Sequence, residues 1–234
     1  MKKNNWLNPF SIKLLACLFM VIDHIAMILI PTSNAIYMPL RIIGRLSAPI
    51  FFYTLSEGLK KTSNRRLYLY RLLVASTIMM AGNGLIALVG ASVIDNPPTI
   101  LQPNIFLVMF LLALGIDKLE SCQFVNAFKT IRTVAISVAA FVSVILLPGY
   151  QWLAISSVLT FYVVKKQWLR DLIYVLSSVL ICLITQQYAQ LFMVLSILFI
   201  TNCSQEKPKR KWKWFFYIFY PLHLWILYGL SALI

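Results

Sequence analysis

The sequence predicts an all-α integral membrane protein, with residues 1–234 folded as one polytopic bundle of about nine transmembrane helices. Two observations predict this class. Hydrophobic residues make up 60% of the chain and charged residues 12%, and the mean hydropathy is +0.81. Apolar runs also recur from residue 12 to the C-terminus, which is too continuous a pattern for a water-soluble core. The lipid bilayer is therefore the first partner that we expect.

Windows of about 20 residues divide the chain into apolar segments that we predict to be helices. In chain order they cover residues 12–30, 36–58, 68–94, 104–116, 133–147, 152–164, 172–184, 188–201 and 214–234. Prolines and glycines mark the gaps, as at Pro97 and Pro148. Several segments in the second half are short for a bilayer crossing, so the sequence leaves their exact boundaries open.

The 21 lysines and arginines predict the orientation of the bundle. All but Arg41 and Arg45 lie outside the apolar segments or at their ends. The basic stretches precede the first segment and follow the second, fourth, sixth and eighth, whereas the gaps at 31–35, 95–103, 148–151 and 185–187 contain no Lys or Arg. Because short cytoplasmic loops retain Lys and Arg, we expect a cytoplasmic N-terminus and an external C-terminus. The formal charge of +14 then follows from topology and anionic lipid, and we expect no nucleic acid partner.

Five ionisable side chains are predicted to share one layer inside the membrane. Arg41 and Arg45 lie within an apolar segment, where a guanidinium is costly and usually marks a site. At about 1.5 Å per residue along each helix, Asp23, His24 and His223 reach a similar depth. Arg41 and Arg45 share a helix face, whereas Asp23 and His24 point roughly 100° apart. We therefore predict an ion pair between Asp23 and one arginine, with His24 directed elsewhere.

A structural interpretation of the same layer remains open. Asp23 and an arginine can clamp two helices, and a histidine can bond a carbonyl that a proline leaves free. Pro49 and Pro221 are predicted to kink their helices, because neither can donate to the carbonyl four residues earlier in the chain.

Further candidate residues lie near the ends of the segments. Glu57 is expected to pair with Lys60 or Lys61, with a role in substrate entry as the alternative. Asn83 and Asn104 are candidates for substrate binding, although asparagines in these positions are also typical of caps and interhelical bonds. A phosphorylated donor that approaches from the cytosol would meet a positive rim, whose candidate phosphate-binding residues are Lys60, Lys61, Arg65, Arg66 and Arg71.

Several stretches resemble the TraX family, membrane proteins named for acetylation of conjugal-transfer pilin. The resembling stretches are SIKLLACLFMVIDHIAMIL, LRIIGRLSAPIFFYTLSEG, RLYLYRLL, PNIFLVMFLLALG and YPLHLWILYG. The resemblance is good across residues 11–71, 104–115 and 220–229, whereas residues 133–203 match only as hydrophobic helices. Its most specific parts are the D-H, R-I-I-G-R and Y-P-L-H motifs.

The resemblance implies a membrane-embedded acyltransferase of the bacterial cytoplasmic membrane. Such an enzyme would acetylate the N-terminus of a small exported or membrane-inserted peptide with acetyl-CoA as donor, without a metal. In outline it is similar to the larger acyltransferase-3 membrane enzymes. Carried onto these residues, His24 is the general base and Arg41 and Arg45 stabilise the oxyanion or orient the donor. Asp23 would hold an arginine, and His223 would be a second proton carrier or alternative base.

Two other functions fit the same residues. A proton-coupled or anion-handling permease would use the layer as a relay, and it predicts flux into sealed vesicles without thioester consumption. A non-enzymatic assembly or immunity factor for a peptide predicts tolerance of conservative changes at all five layer positions.

Overall fold

The computed structural model describes residues 6–90, 97, 104–122, 127–147, 151–186, 188–204 and 214–233. Helices dominate these ranges, and no strand longer than an isolated bridge occurs among them. The bounds are α1 Pro9–Leu29, α2 Tyr37–Gly44, α3 Ser47–Lys61, α4 Arg65–Gly90, α5 Ile105–Glu120, α6 Ala127–Leu146, α7 Gln151–Val163, α8 Gln167–Thr185, a 3₁₀ helix Tyr188–Ser196, α9 Ile197–Ile200 and α10 Phe215–Ser231. The predicted all-α class is confirmed for the described part of the chain.

Within the described ranges, three helices are by length and composition apolar enough to cross a membrane, namely α1, α4 and α8. Shorter apolar helical stretches cover residues 130–146, 152–163, 188–200 and 215–231. Large apolar side chains also lie on the outside of the bundle, as Leu88 and Ile184 do. A lipid-facing surface explains this exposure, because soluble proteins rarely show extended apolar patches.

The second predicted segment is wrong in one respect, because it forms two helices. Arg45 and Leu46 lie in a turn between α2 and α3. The Leu46 N–H donates to the carbonyl of Ile43 at 3.2 Å, which is the bond of a tight turn. Pro49 follows in the first turn of α3, where an N–H group has no acceptor within the helix, so the N–H that proline lacks is not missed. The predicted kink is therefore a complete break.

Serine hydroxyls join helices inside the bundle. Ser47 Oγ donates to the carbonyl of Ala16 at 2.9 Å, which ties α3 to α1. Ser56 Oγ donates to the carbonyl of Val158 at 3.1 Å, which ties α3 to α7. In lipid, where no water competes, small polar residues of this kind stabilise close helix packing. These bonds make α3 the central helix that α1 and α7 pack against.

Segments that are distant in the sequence meet at one end of the bundle. Lys60 Nζ, at the end of α3, donates to the carbonyl of Phe161 at 2.7 Å. The Leu7 N–H, just before α1, donates to the carbonyl of Asn202 at 3.2 Å. We call the region formed by residues 60–66, 117–122, 162–170 and 200–204 the basic end. Its segments lie in or next to the Lys- and Arg-containing gaps between the predicted apolar segments.

Candidate active site

Two adjacent residues of α1 contact different neighbouring helices. Asp23 Oδ2 lies 2.8 Å from Arg41 Nη1 of α2. His24 Nδ1 lies 2.8 Å from His223 Nε2 of α10. Successive residues of an α helix differ in direction by about 100°, so the two pairs diverge from α1. The predicted pairing of Asp23 with an arginine, and the separate direction of His24, are confirmed.

The ion pair lies where α1 and α2 approach closely. The Asp23 and Arg41 side chains are only 11% and 14% exposed, and Arg41 Nη1 also donates to the Asp23 carbonyl at 3.3 Å. A Cβ atom on Gly44 would lie 2.7 Å from Asp23 Cα, so only glycine fits there without a shift of the helices. The positive charge of Arg45 also acts on Asp23. Two cations thus surround one buried carboxylate.

The hydrogen bonds of the two histidines assign their protons. His223 Nδ1 lies 2.9 Å from the carbonyl oxygen of Phe219, which only accepts, so Nδ1 carries the proton. In the neutral ring His223 Nε2 then accepts from His24 Nδ1, which leaves the lone pair of His24 on Nε2. The bonded carbonyl is that of Phe219 and not that of Tyr217, which Pro221 leaves without its helical donor.

Stacked rings hold this histidine pair in place. Along α10, Phe215 stacks on Phe219 at 5.4 Å between ring centroids and Phe219 on His223 at 5.2 Å. The His223 and His24 rings lie side by side and nearly coplanar, with centroids 5.1 Å apart and an interplanar angle of 20°, as a hydrogen bond between their ring nitrogens requires. Tyr220 packs edge-on against both imidazoles. The column fixes the ring orientations that the hydrogen bond needs.

The two histidines differ in exposure, and neither lines a cavity of the described part of the bundle. His24 is half-buried, whereas His223 is 9% exposed. Two cavities, of about 550 and about 370 Å³, are lined by described residues, and none of the five layer residues is among those that line them. Of the two imidazoles, His24 is therefore the more accessible.

The remaining predicted substrate-binding residues make structural contacts. Glu57 accepts from Lys60 at 3.2 Å and pairs with Lys61 at 2.7 Å, which confirms its predicted partners. Asn83 accepts from the Trp225 indole at 3.1 Å. Asn104 caps α5 and also donates to the carbonyl of Ser76 at 2.9 Å. Roles of Glu57, Asn83 and Asn104 in substrate binding stay predictions.

The five predicted phosphate-binding residues are not one cluster. Lys60 and Lys61 line the larger cavity at the basic end. Arg65 bonds to Glu120 and Tyr162 beside it, and Arg66 is exposed. Arg71 is elsewhere, with its guanidinium 5.8 Å from the centroid of the Trp214 ring in the second, apolar cavity.

Sequence reasoning missed two cations of the larger cavity. Lys165 and Arg170 line it together with Lys60 and Lys61. Their signal in the sequence was their place in the basic gap after the sixth segment, which indicates only orientation. Among the described residues, no group of three metal-ligating side chains is arranged around a common point. That the site works without a metal stays a prediction.

Fold and site together define a class: an all-helical protein with the apolar exterior of a membrane protein and an inner layer of paired ionisable residues. The family model described as TraX protein matches residues 10–231. This chain therefore belongs to the TraX family, as its motifs predicted.

One curated relative extends the comparison. The probable fimbrial assembly protein FimC, serogroup H1, of Dichelobacter nodosus is 33% identical over 78 residues. The similar stretch spans 33% of this chain and 32% of that protein. No solved structure matches the chain significantly.

Proposed function

We propose that this protein is a membrane-embedded acyltransferase that moves an acetyl group from acetyl-CoA to the N-terminus of a small exported or membrane-inserted peptide. The observation that carries the proposal is the 2.8 Å hydrogen bond between His24 and His223, beside the Asp23–Arg41 pair, in a TraX-family chain. The relative's name, fimbrial assembly protein, supports a fimbrial or pilin-like subunit as the peptide class.

In this mechanism His24 Nε2 is the general base. The acceptor amine attacks the thioester carbonyl carbon, a C–N bond forms, and the amine proton moves to His24 Nε2. The charge on the imidazolium is stabilised by the bond from Nδ1–H to His223 Nε2. When the tetrahedral intermediate collapses, the C–S bond breaks and the leaving thiolate takes the proton from Nε2. General acid–base catalysis of this kind contributes about 10²–10⁴-fold to a rate.

The arginines supply positive charge for the developing oxyanion. A guanidinium carries five N–H donors, and the contacts of Arg41 with Asp23 use Nη1. In the proposed mechanism the guanidinium of Arg41 and the positive charge of Arg45 orient the donor carbonyl and stabilise its oxygen. Loss of one such donor lowers kcat about 10²–10³-fold in other acyl-transfer enzymes. Asp23 acts as a positioning residue through Arg41.

The proposal includes the finer topology: nine spans in the bacterial cytoplasmic membrane, with the N-terminus inside and the C-terminus outside. The meeting of segments from the Lys- and Arg-rich gaps at one end of the bundle supports this orientation. His24 then lies about 22 Å from the cytoplasmic start of α1 and about 8 Å from its outer end. The thioester arm enters from the longer side and the peptide from the shorter one.

Mass spectrometry of membrane peptides tests the proposal directly. Cells with the wild-type protein should contain a peptide heavier by one N-terminal acetyl group, and cells with His24→Gln should not. Gly229→Ala is the matched control, because no atom lies within 4 Å of a Cβ at that position. An equal acetylation rate in wild type and a correctly inserted His24→Gln variant would contradict the assignment of the base.

A second candidate function has one observation in its favour. Two imidazoles in direct hydrogen bond form a short proton relay, as proton-coupled permeases use. Proton flux into sealed vesicles that requires His24, with no consumption of acetyl-CoA, would establish this function instead.

A further inference from the structure

The larger cavity at the basic end has the size and position of a ligand site. Its volume of about 550 Å³ falls within the range of roughly 300–1,000 Å³ that small-molecule sites occupy. The ends of α3, α7 and α9 and the start of α8 surround it. It therefore opens at the same end as the lysine- and arginine-bearing segments.

Positive charge dominates the lining of this cavity. Lys60, Lys61, Lys165 and Arg170 line it, against the carboxylates of Glu57 and Glu120. Glu57 pairs with both Lys60 and Lys61, so its single charge is shared between two cations. Lys165 is exposed and has no ion-pair partner among the described residues. The excess of positive charge in the lining therefore favours binding of an anion.

One of the cations is buried and held in place. Arg170 is 7% exposed and pairs with Asp171 at 2.8 Å. Its guanidinium also lies 5.6 Å from the centroid of the Tyr53 ring. Arg170 Nε and Nη2 donate to Asp171 Oδ1 at 3.0 and 2.8 Å, so a phosphate oxygen would bond at the Nη1 side of this fixed, planar group. The built position of Arg170 distinguishes this cavity from a solvated patch of lysines.

The start of α8 adds to the attraction for anions. Gln167 begins this helix and lines the cavity, and no side chain caps the N-terminus at Lys166. The first-turn N–H groups and the helix dipole therefore favour a negative ligand at the cavity edge. This contribution supplements the four side-chain charges.

We propose that this cavity binds the phosphate-bearing nucleotide part of a ligand, with Lys165 and Arg170 as contacts beside Lys60 and Lys61. That the ligand is the thioester donor rests on the proposed function. The phosphate chemistry itself rests on the charge, volume and buried guanidinium of the cavity. An anionic lipid headgroup carries the same chemistry, and the experiment separates the two sources.

Calorimetric titration of the full-length protein in neutral detergent with adenosine 3′,5′-bisphosphate tests the site. Lys165→Gln should weaken this affinity about tenfold, the effect of one lost charge-assisted hydrogen bond. Lys166→Gln is the matched control, because Lys166 is also exposed but does not line the cavity, and its affinity should stay within about twofold. Equal affinities of wild type and Lys165→Gln, or binding of anionic lipid in nanodiscs without nucleotide binding, would overturn the proposal.

Nucleotide binding and acetyl transfer can be lost independently of each other. His24→Gln should bind the bisphosphate with wild-type affinity but transfer no acetyl group. Nucleotide binding that depends on Lys165, in a protein with no transferase activity, leaves the site established and removes the acyltransferase. If the protein transfers acetyl groups and Lys165→Gln leaves the KM for acetyl-CoA unchanged, the acyltransferase function stands and the phosphate site is refuted.

Discussion

His223 faces His24 with its ring nitrogen Nε2. Its Nδ1 proton is committed to the Phe219 carbonyl, so its Nε2 can only accept while the ring is neutral. Each imidazole therefore has one assigned proton, and the basic position is His24 Nε2. A ring with the same shape but no nitrogen would keep the stacking and lose the acceptor.

His223→Phe should lower kcat about 10²-fold with little change in KM, because the base loses the partner that orients it and stabilises its charge. His223→Gln, whose amide oxygen can accept from His24, should recover part of this rate. Steady-state kinetics with acetyl-CoA and the thermal midpoint in detergent are the measurements. A matching loss of stability in both variants, or a change in KM alone, would mean that His223 only supports packing.

The Asp23–Arg41 pair makes a separate prediction about stability. Asp23→Asn leaves a nearly buried guanidinium with less compensation, and should lower the free energy of unfolding by about 3–5 kcal/mol. Asp23→Leu combined with Arg41→Met should recover most of this loss, since an apolar pair avoids the desolvation cost. Unfolding in mixed micelles measures both. As a comparison, Asp117→Asn removes long pairs with the partly exposed Lys118 and Arg65, and should cost at most about 1 kcal/mol.

The sequence predicted part of this chemistry for a physical reason. Helix geometry alone sets the angle between Asp23 and His24 and the shared face of Arg41 and Arg45, so an Asp–Arg pair was foreseeable. The partner of His24 was not, because His223 is 199 positions away and pairs only if α10 packs on α1. Helix adjacency of that kind has no local signal.

At the scale of helices, the contact between α1 and α2 depends on Gly44. The Cβ of an alanine there would lie 2.7 Å from Asp23 Cα. Neither atom can move without a shift of its backbone, because Cβ is bonded directly to Cα and Asp23 Cα is itself a backbone atom. Gly44→Ala should therefore lower the free energy of unfolding by about 1–3 kcal/mol and displace the Asp23–Arg41 pair. Gly229→Ala, in α10 with open space around it, should be neutral or stabilising by up to about 1 kcal/mol. Similar losses in both variants would contradict the close approach of α1 and α2.

The break between α2 and α3 shows where helix prediction from sequence stops. Apolar composition identified residues 36–58 as one membrane segment, and Pro49 indicated a kink. An apolar composition indicates that a segment lies in lipid. A bent helix and two consecutive helices both meet that condition, so composition does not distinguish them. The chain breaks at Arg45 and Leu46, where tight-turn bonds to Ile42 and Ile43 replace the helical bond that Pro49 cannot donate.

Another prediction concerns the ends of α4, α5 and α7, which meet at Glu120. Tyr162 donates to Glu120 at 2.6 Å and Arg65 pairs with the same carboxylate. The Tyr162 hydrogen bond, with Arg65 second, holds the pKa of Glu120 below its ordinary value of 4.5. A carboxylate with a depressed folded-state pKa stabilises the fold above its unfolded-state pKa, and this stability disappears as pH falls through the folded-state value.

The thermal midpoint of the wild type should therefore fall more steeply than that of Glu120→Gln as pH decreases below about 4.5. Midpoints of the two proteins in detergent, between pH 7 and pH 3.5, make the comparison. At pH 7 the wild type should be the more stable protein. Parallel curves would show that the cluster contributes nothing to the connection of the three helices.

For the whole molecule, the basic end and the His24–His223 pair lie at different depths in the bundle. In the proposed function the cavity at the basic end binds the anionic donor, and His24 lies closer to the opposite end of α1. A donor and an acceptor that enter from opposite faces can meet without either crossing the membrane. This arrangement requires the basic end to be cytoplasmic, so the orientation of the bundle tests it directly.

Cysteine labelling measures that orientation. In a variant with Cys122→Ser, Ser33→Cys and Leu233→Cys should each react with a membrane-impermeant maleimide in intact cells, because both positions are exposed and face outward in the proposed topology. Ser63→Cys, exposed between α3 and α4, should react only after permeabilisation. Cys17, Cys182 and Cys203 are buried and give the unreactive background. Labelling of Ser63→Cys from outside would invert the bundle, and labelling of Leu233→Cys only from inside would require an even number of spans.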